Sequence, residues 1–144
     1  MLSNQSKYAL RGVLYLAVNA SKSNKYGSKE IGTKINIPVP FLAKIFQKLS
    51  KENVISSSKG PHGGFYLSDE QLEGNLLKVI TCIDGVDSFN SCFIGLSECS
   101  DENPCPIHHL ASPFNNKVKD ELKKRSISDF ALDTKKGKSH IFLK

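Results

Sequence analysis

Three of the four cysteines in this 144-residue chain fall in one short stretch, "SCFIGLSECSDENPCPIHH", residues 91–109. It holds Cys92, Cys99 and Cys105, followed by His108 and His109. Thiolates and imidazoles are the donors that zinc and iron–sulfur centres take, and clustered thiols can also act as redox switches. Six residues separate Cys92 from Cys99, five separate Cys99 from Cys105, and His108 stands three positions after Cys105. If Pro106 opens a helix, positions 105 and 108 share a face one turn apart, and a thiol at a helix amino end is biased toward thiolate. Gly95, Ser97, Ser100 and Asn103 leave the loop free to fold two further sulfurs around the same point. Spacing alone leaves three chemistries open: an iron–sulfur cluster, a structural zinc site of three Cys and one His, and a metal-free thiol switch. His109 reads as a bystander, and Cys82, inside an apolar helical pattern, as a small hydrophobe.

The compartment narrows these uses. The densest apolar run, Tyr8 to Val18, contains Arg11 and is about half the length needed to cross a membrane. The amino terminus lacks the basic, apolar and small-residue order of a secretory signal. The expectation is a soluble cytoplasmic protein with no membrane partner, where thiols stay reduced and serve metals or redox chemistry rather than structural disulfides.

Charge is unevenly distributed. Residues 1–68 carry ten Lys/Arg against two Asp/Glu, residues 69–100 one against six, and residues 101–144 nine against six. A positive field concentrated on one module favours a polyanionic partner, most simply double-stranded DNA.

The basic module has the elements to use that field. Tyr8, Ala9, Val13, Leu16 and Ala17 recur at helical spacing, predicting a buried helix over 5–20. Ser28 is expected to cap "KEIGTKI", "NIPVP" to break the chain, and Pro40 to open "FLAKIFQKLSKE". Phe41, Leu42, Ile45, Phe46 and Leu49 form the apolar face of that last helix, while Lys44, Lys48 and Lys51 line another side. A short helix, a tight turn and a second helix with a basic face make a helix-turn-helix. "NVISSSK" and "GGFYLS" then read as strands around the turn "GPHG", a two-stranded wing with Lys59 and His62 at its tip. Further on, Asn75 caps "LLKVITCIDG" and Gly85 ends it. Ile107, Ala111, Phe114, Val118 and Leu122 form a stripe on a helix from 106 to about 125, which either kinks at Pro113 or restarts at Ser112. With no later domain to cover it, that stripe is expected to pack on the first helix of the same chain or on the same helix of a second subunit. The dimer is favoured because paired modules read two half-sites. The tail "ALDTKKGKSHIFLK" is expected to be mobile until its last apolar residues find a surface.

The fold class read here is mainly α with a small β-hairpin wing: a winged helix-turn-helix plus a long C-terminal dimerisation helix. Its expected parts are a DNA-binding domain over 1–72, a connecting helix and cysteine-rich sensor loop over 73–105, and a dimerisation helix and tail over 106–144. No enzyme is read, because the cysteines lack a base and oxyanion arrangement and no phosphate-cradling loop or nucleophile elbow occurs. The rival reading is a winged-helix protein-interaction module, stabilised by zinc, that binds no DNA.

"KYALRGVLYLA", "SKEIGTKINIPVPFLAKIFQKLSKENVISSSKGPHGGFYLS" and the three-cysteine loop together resemble the Rrf-two family of bacterial winged-helix transcription regulators. The resemblance spans the chain to about Arg125. It implies a homodimer with one winged helix per subunit and a long helix crossing between subunits. It also implies DNA contacts from the recognition segment, where Pro38, Val39, Pro40 and Ala43 could meet thymine methyls and Lys44, Gln47 and Lys48 could reach acceptors. Ser28, and Ser57, Lys59, Gly60, His62 and Gly63 on the wing, complete the expected DNA-binding set. For the loop, the resemblance implies an iron–sulfur cluster held by Cys92, Cys99 and Cys105 with His108 as fourth ligand, 2Fe-2S ahead of 4Fe-4S. Zinc, or no metal at all with a thiol-switch repressor, remain the alternatives. The family's cluster-binding members usually have five residues in both gaps between the cysteines, and here the first gap has six.

Overall fold

The computed structural model describes residues 2–141. The first helix, α1 (Asn4–Asn19), starts where the Ser3 hydroxyl accepts the N–H of Ser6, and it buries Ala9, Val13, Leu16 and Ala17. Its Gly12 is required by a close approach: a Cβ there would lie 2.7 Å from the Phe46 ring. The helix-turn-helix follows as α2 (Ser28–Ile35) and α3 (Val39–Lys51). Ser28 is the first helical residue of α2 and not its cap; Gly27, with extended φ −82° and ψ 160°, takes the capping position without a side-chain hydrogen bond. Asn36 ends α2 in the left-handed conformation at φ 55°, a bend its short polar side chain tolerates. Pro38 caps α3, so Val39 opens the helix and Pro40 lies second, still within the turn where a missing N–H costs nothing.

The wing is β1 (Ser56–Ser58) paired antiparallel with β2 (Gly64–Tyr66), with Ser57 opposite Phe65. Tyr26 extends this pairing from the segment before α2, exchanging both backbone hydrogen bonds with Phe65. A short α4 (Asp69–Leu72) has a capping box from Ser68 and Gln71. In α5 (Leu76–Asp84), Asn75 caps the amino end through Lys78 N–H and Gly85 closes the other at φ 90°, as the sequence indicates.

Beyond the cysteine loop, α6 (His108–Lys124) runs through Pro113 as one helix, with no fresh start at Ser112. It begins two residues later than expected because Ile107, at φ −112° and ψ 9°, is outside the helical well and caps the helix instead. The expectation of a mobile tail is corrected over residues 131–135 by α7 (Ile127–Lys135), a helix not among those expected from the sequence. Ser126 and Asp129 form its capping box, and Ile127 and Ala131 are buried one turn apart. The Arg125 guanidinium binds the Asp133 carboxylate at 2.6 Å and lies over the Phe130 ring, fastening the turn between α6 and α7. That hydrogen bond holds the Asp133 carboxyl below the usual range. Of the tail's last apolar residues, Ile141 packs against the core, while Phe142 and Leu143 lie outside the described residues.

One cluster of buried side chains joins α1, α2, α3, α5 and α7, with Val13, Leu16, Ile31, Leu42, Phe46 and Val79 fully enclosed. Helix α6 is different. It packs on α5 but has no fully buried residue, and Leu110 and Phe114 are 78% and 58% exposed.

Candidate functional site

The loop between α5 and α6 brings its sulfurs together. The Sγ atoms of Cys92, Cys99 and Cys105 all lie within 4.8 Å of one another. Cys105 is buried, and Cys92 and Cys99 are partly so. The backbone explains the convergence: the carbonyl of Cys92 accepts the N–H of Gly95, and Ser100 and Asn103 close a tight turn by exchanging backbone hydrogen bonds. The Cys105 N–H then points at the Cys99 sulfur, 3.4 Å away. Cys105 and His108 are joined by a turn rather than lying within one helix, the Cys105 carbonyl accepting the His108 N–H. His108 reaches the site from the first residue of α6, its Nδ1 3.2 Å from Cys99 Sγ and its Nε2 2.8 Å from Asp101 Oδ1. These groups line a pocket of about 290 Å³ floored by Ala111, Ser112 and Asn115 of α6.

The electrostatics set Cys92 apart from Cys99. Burial opposes ionisation of Cys92, but the backbone N–H groups of Leu96 and Ile94, and the thiols of Cys105 and Cys99, stabilise the anion and bring it down to about 7. At Cys99 the Cys105 N–H favours the thiolate, yet burial and the adjoining sulfurs outweigh it and push the thiol up. Three soft donors this close, with an imidazole nitrogen beside them, fit an iron–sulfur cluster or a zinc ion. Cys82 lies elsewhere, on α5, partly buried against the core with its thiol pushed up by burial. His109 is exposed, its ring edge-on to His108 at 5.6 Å.

The second set of expected residues surrounds the wing. Ser28, Gln47, Ser57, Lys59, Gly60 and Gly63 line one open cleft between the start of α2, the later part of α3 and the hairpin. Ser50 and Lys51 line it too, and the Ser50 hydroxyl donates to the Ser57 hydroxyl at 2.9 Å, tying α3 to the wing. The tip is compact: Gly63 N–H donates to the Gly60 carbonyl, and a Cβ on Gly63 would fall 2.3 Å from the Ser58 carbonyl oxygen. Gly63 therefore serves the turn itself. Lys59, Gly60 and His62 are exposed at the tip. Pro38 and Pro40 are exposed at the amino end of α3, with Val39 and Ala43 partly covered. Lys44 and Lys48 are exposed but line a separate depression with Gln5, Phe41 and Ile83, on the flank of α3 toward α5. Asp101 and Ser50 were not singled out from the sequence. Asp101, two positions after Cys99 inside a Ser–Asn turn, carried a readable signal; Ser50 did not.

Known proteins share this architecture. A family model described as "Rrf2: Iron-dependent Transcriptional regulator" matches residues 2–133. A protein of Aquifex aeolicus assigned as an HTH-type transcriptional regulator is 34% identical over 131 residues, 90% of each chain. The HTH-type transcriptional regulator IscR of Vibrio cholerae is 24% identical over 132 residues, 92% of this chain and 75% of that one. Among solved structures, CymR (YrzC), the global cysteine regulator of B. subtilis, aligns with a TM-score of 0.71 at 20% identity, over 92% of this chain and 96% of that one. T. potens IscR aligns with a TM-score of 0.70 at 16% identity, over 97% and 92%. These likenesses show the fold to be the expected one, mainly helical with a two-stranded wing, and the relatives are regulators of transcription rather than enzymes. Among the described residues no helix is long and apolar enough to cross a membrane. With the family match running from residue 2 to residue 133, this chain belongs to the Rrf2 family of transcriptional regulators.

Proposed function

We propose that the protein is a homodimeric, DNA-binding regulator whose affinity for its operator depends on an iron–sulfur cluster held by Cys92, Cys99, Cys105 and His108. The observation that carries this reading is the meeting of three sulfurs within 4.8 Å at the start of α6. The family's iron-dependent description favours iron over zinc. When bound, a cluster supplies a one-electron couple and sensitivity to oxidants. The chain's own part is mechanical. Ligation through Cys92, Cys99, Cys105 and His108 would tie about a dozen loop residues to the first turn of α6, the helix that presents Leu110 and Phe114 outward. Absorption spectra with iron and sulfide analysis of anaerobically purified protein test the reading. Zinc in place of iron would reduce the site to a structural one. Absence of both metals would favour the thiol switch, which the lowered Cys92 thiol supports as the second reading.

DNA is assigned to the cleft and the exposed end of α3. Phosphate contacts are assigned to Lys59, Gly60 and His62 of the wing and Ser28 of α2, and base-edge contacts to Pro38, Val39, Pro40, Ala43 and Gln47. Lys44 and Lys48 line the flank of α3 toward α5 rather than the wing cleft, and contribute positive field beside it. Lys59→Ala should weaken binding to specific and random duplexes alike and lower the salt slope by about one. An unchanged affinity and slope in a salt titration would move the DNA face off the wing.

The second subunit is assigned to α6. Phe114→Glu places a charge where the isolated subunit already exposes the side chain, so folding should be unaffected. Burying that charge between subunits is strongly unfavourable, and sedimentation should show a monomer. A persisting dimer would put the interface elsewhere.

A further inference from the structure

We infer that Asp101 is a positioning residue for the metal centre: it sets the tautomer of His108 so that Nδ1, not Nε2, is offered to the cysteine site. This rests on the reading of the loop as a metal centre and adds to it a residue outside the ligand set. A carboxylate oxygen only accepts hydrogen bonds, so the imidazole nitrogen 2.8 Å from Asp101 Oδ1 must carry a proton. That nitrogen is Nε2. A neutral imidazole has one N–H, so the lone pair falls on Nδ1, the atom 3.2 Å from Cys99 Sγ. Carboxylates that accept from a metal-binding histidine's other nitrogen orient the ring and raise its basicity, and their loss typically costs ten- to hundredfold in metal affinity.

The placement is built into the local chain. The Ser100–Asn103 turn is closed by two backbone hydrogen bonds, and the Ser100 hydroxyl accepts the Asn103 N–H as well. Asp101 stands at the corner of this turn, so the segment that supplies the Cys99 sulfur also supplies the carboxylate. Only 14% of the His108 side chain is exposed, against 92% for Asp101. The ring is therefore enclosed while its orienting partner lies at the rim, where it can be replaced without disturbing the core.

The test uses the full chain in its reduced, metal-free form and has two readouts. Nitrogen-15 NMR of the imidazole at about pH 8, above the range where imidazoles ordinarily titrate, should show the Nε2–H tautomer in the wild type. Asp101→Ala should shift it toward Nδ1–H, and Asp101→Asn, which keeps an acceptor oxygen, should restore the wild-type form. A wild-type Nδ1–H tautomer, or a tautomer that ignores Asp101→Ala, overturns the inference. Zinc binding by chelator competition should weaken roughly ten- to hundredfold in Asp101→Ala and less in Asp101→Asn; equal affinity in all three proteins overturns it too. A wild type that binds no metal would instead sink the metal-centre reading, and the tautomer would still decide the role of Asp101.

Discussion

Alanine at Cys92, Cys99 and Cys105 together should give a protein that binds no iron and holds a single DNA affinity under reducing and oxidising conditions alike. The sulfurs of these three residues are the only group of three or more such donors that converge among the described residues, so nothing else there can take over the site. The same variant removes every thiol of the loop, which abolishes the metal and thiol-switch readings at once. A ligated loop alters DNA affinity only if it favours one dimer geometry over another, and linkage then requires DNA to alter the stability of the bound centre in return. A typical coupling is about 1–3 kcal/mol, so loaded and metal-free wild type should differ roughly five- to hundredfold in operator affinity. Cys82→Ala should leave both metal content and regulation intact, because Cys82 lies on α5 outside the cluster. Operator affinity of loaded, metal-free, triple-variant and Cys82→Ala proteins, measured anaerobically at one salt concentration, checks this. Equal affinities throughout would leave the loop without a regulatory part.

Phe46→Ala should be the most damaging change to the DNA-binding module. Its ring is fully enclosed, abuts α1 at Gly12, and meets the Phe65 ring of the wing edge-on at 4.9 Å between centroids. Truncating a buried phenylalanine costs about 3–5 kcal/mol, against a total stability of about 5–15 for a domain of this kind. The loss should also loosen the wing on α3, leaving the Ser50–Ser57 hydrogen bond without the Phe46–Phe65 ring contact beside it. Urea denaturation should show a much lower midpoint, and DNA affinity should fall below the unfolding range as well. A Leu at the same position, keeping much of the apolar volume, should lose less of both. A midpoint matching wild type would mean that the three elements are held together elsewhere.

Local signals carried the sequence reading a long way. Helical periodicity located α1, α3, α5 and α6, Asn75 and Gly85 marked both ends of α5, and the glycine-rich turn between short polar and aromatic runs marked the wing. Each such signal acts within about a turn of helix or one hairpin, so neighbouring residue types suffice to state it. Boundaries moved where two local choices competed. Gly27 displaced Ser28 as a cap, and Ile107 left the helical well so that α6 starts at His108 rather than Pro106. Helix α7 was missed because only Ile127 and Ala131 are buried in a lysine-rich segment, although "SISD" at its start is a readable capping box.

The composition of the cysteine loop was plain from the sequence, and with it the class of chemistry the loop could support. What only the tertiary structure decided is which atoms meet. Six- and five-residue gaps allow many paths, and nothing in the spacing brings the sulfurs of Cys92, Cys99 and Cys105 within 4.8 Å or turns Nδ1 of His108 toward Cys99. The path of the chain through the Ser100–Asn103 turn and back to α6 decides that, and it places Asp101 behind the histidine. The charge on the winged helix was likewise legible as a total, but its division was not. Packing of α3 against α5 puts Lys44 and Lys48 on one flank and Gln47 and Lys51 in the wing cleft, because a helix fixes the angle between side chains while only its neighbours decide which angle faces open space.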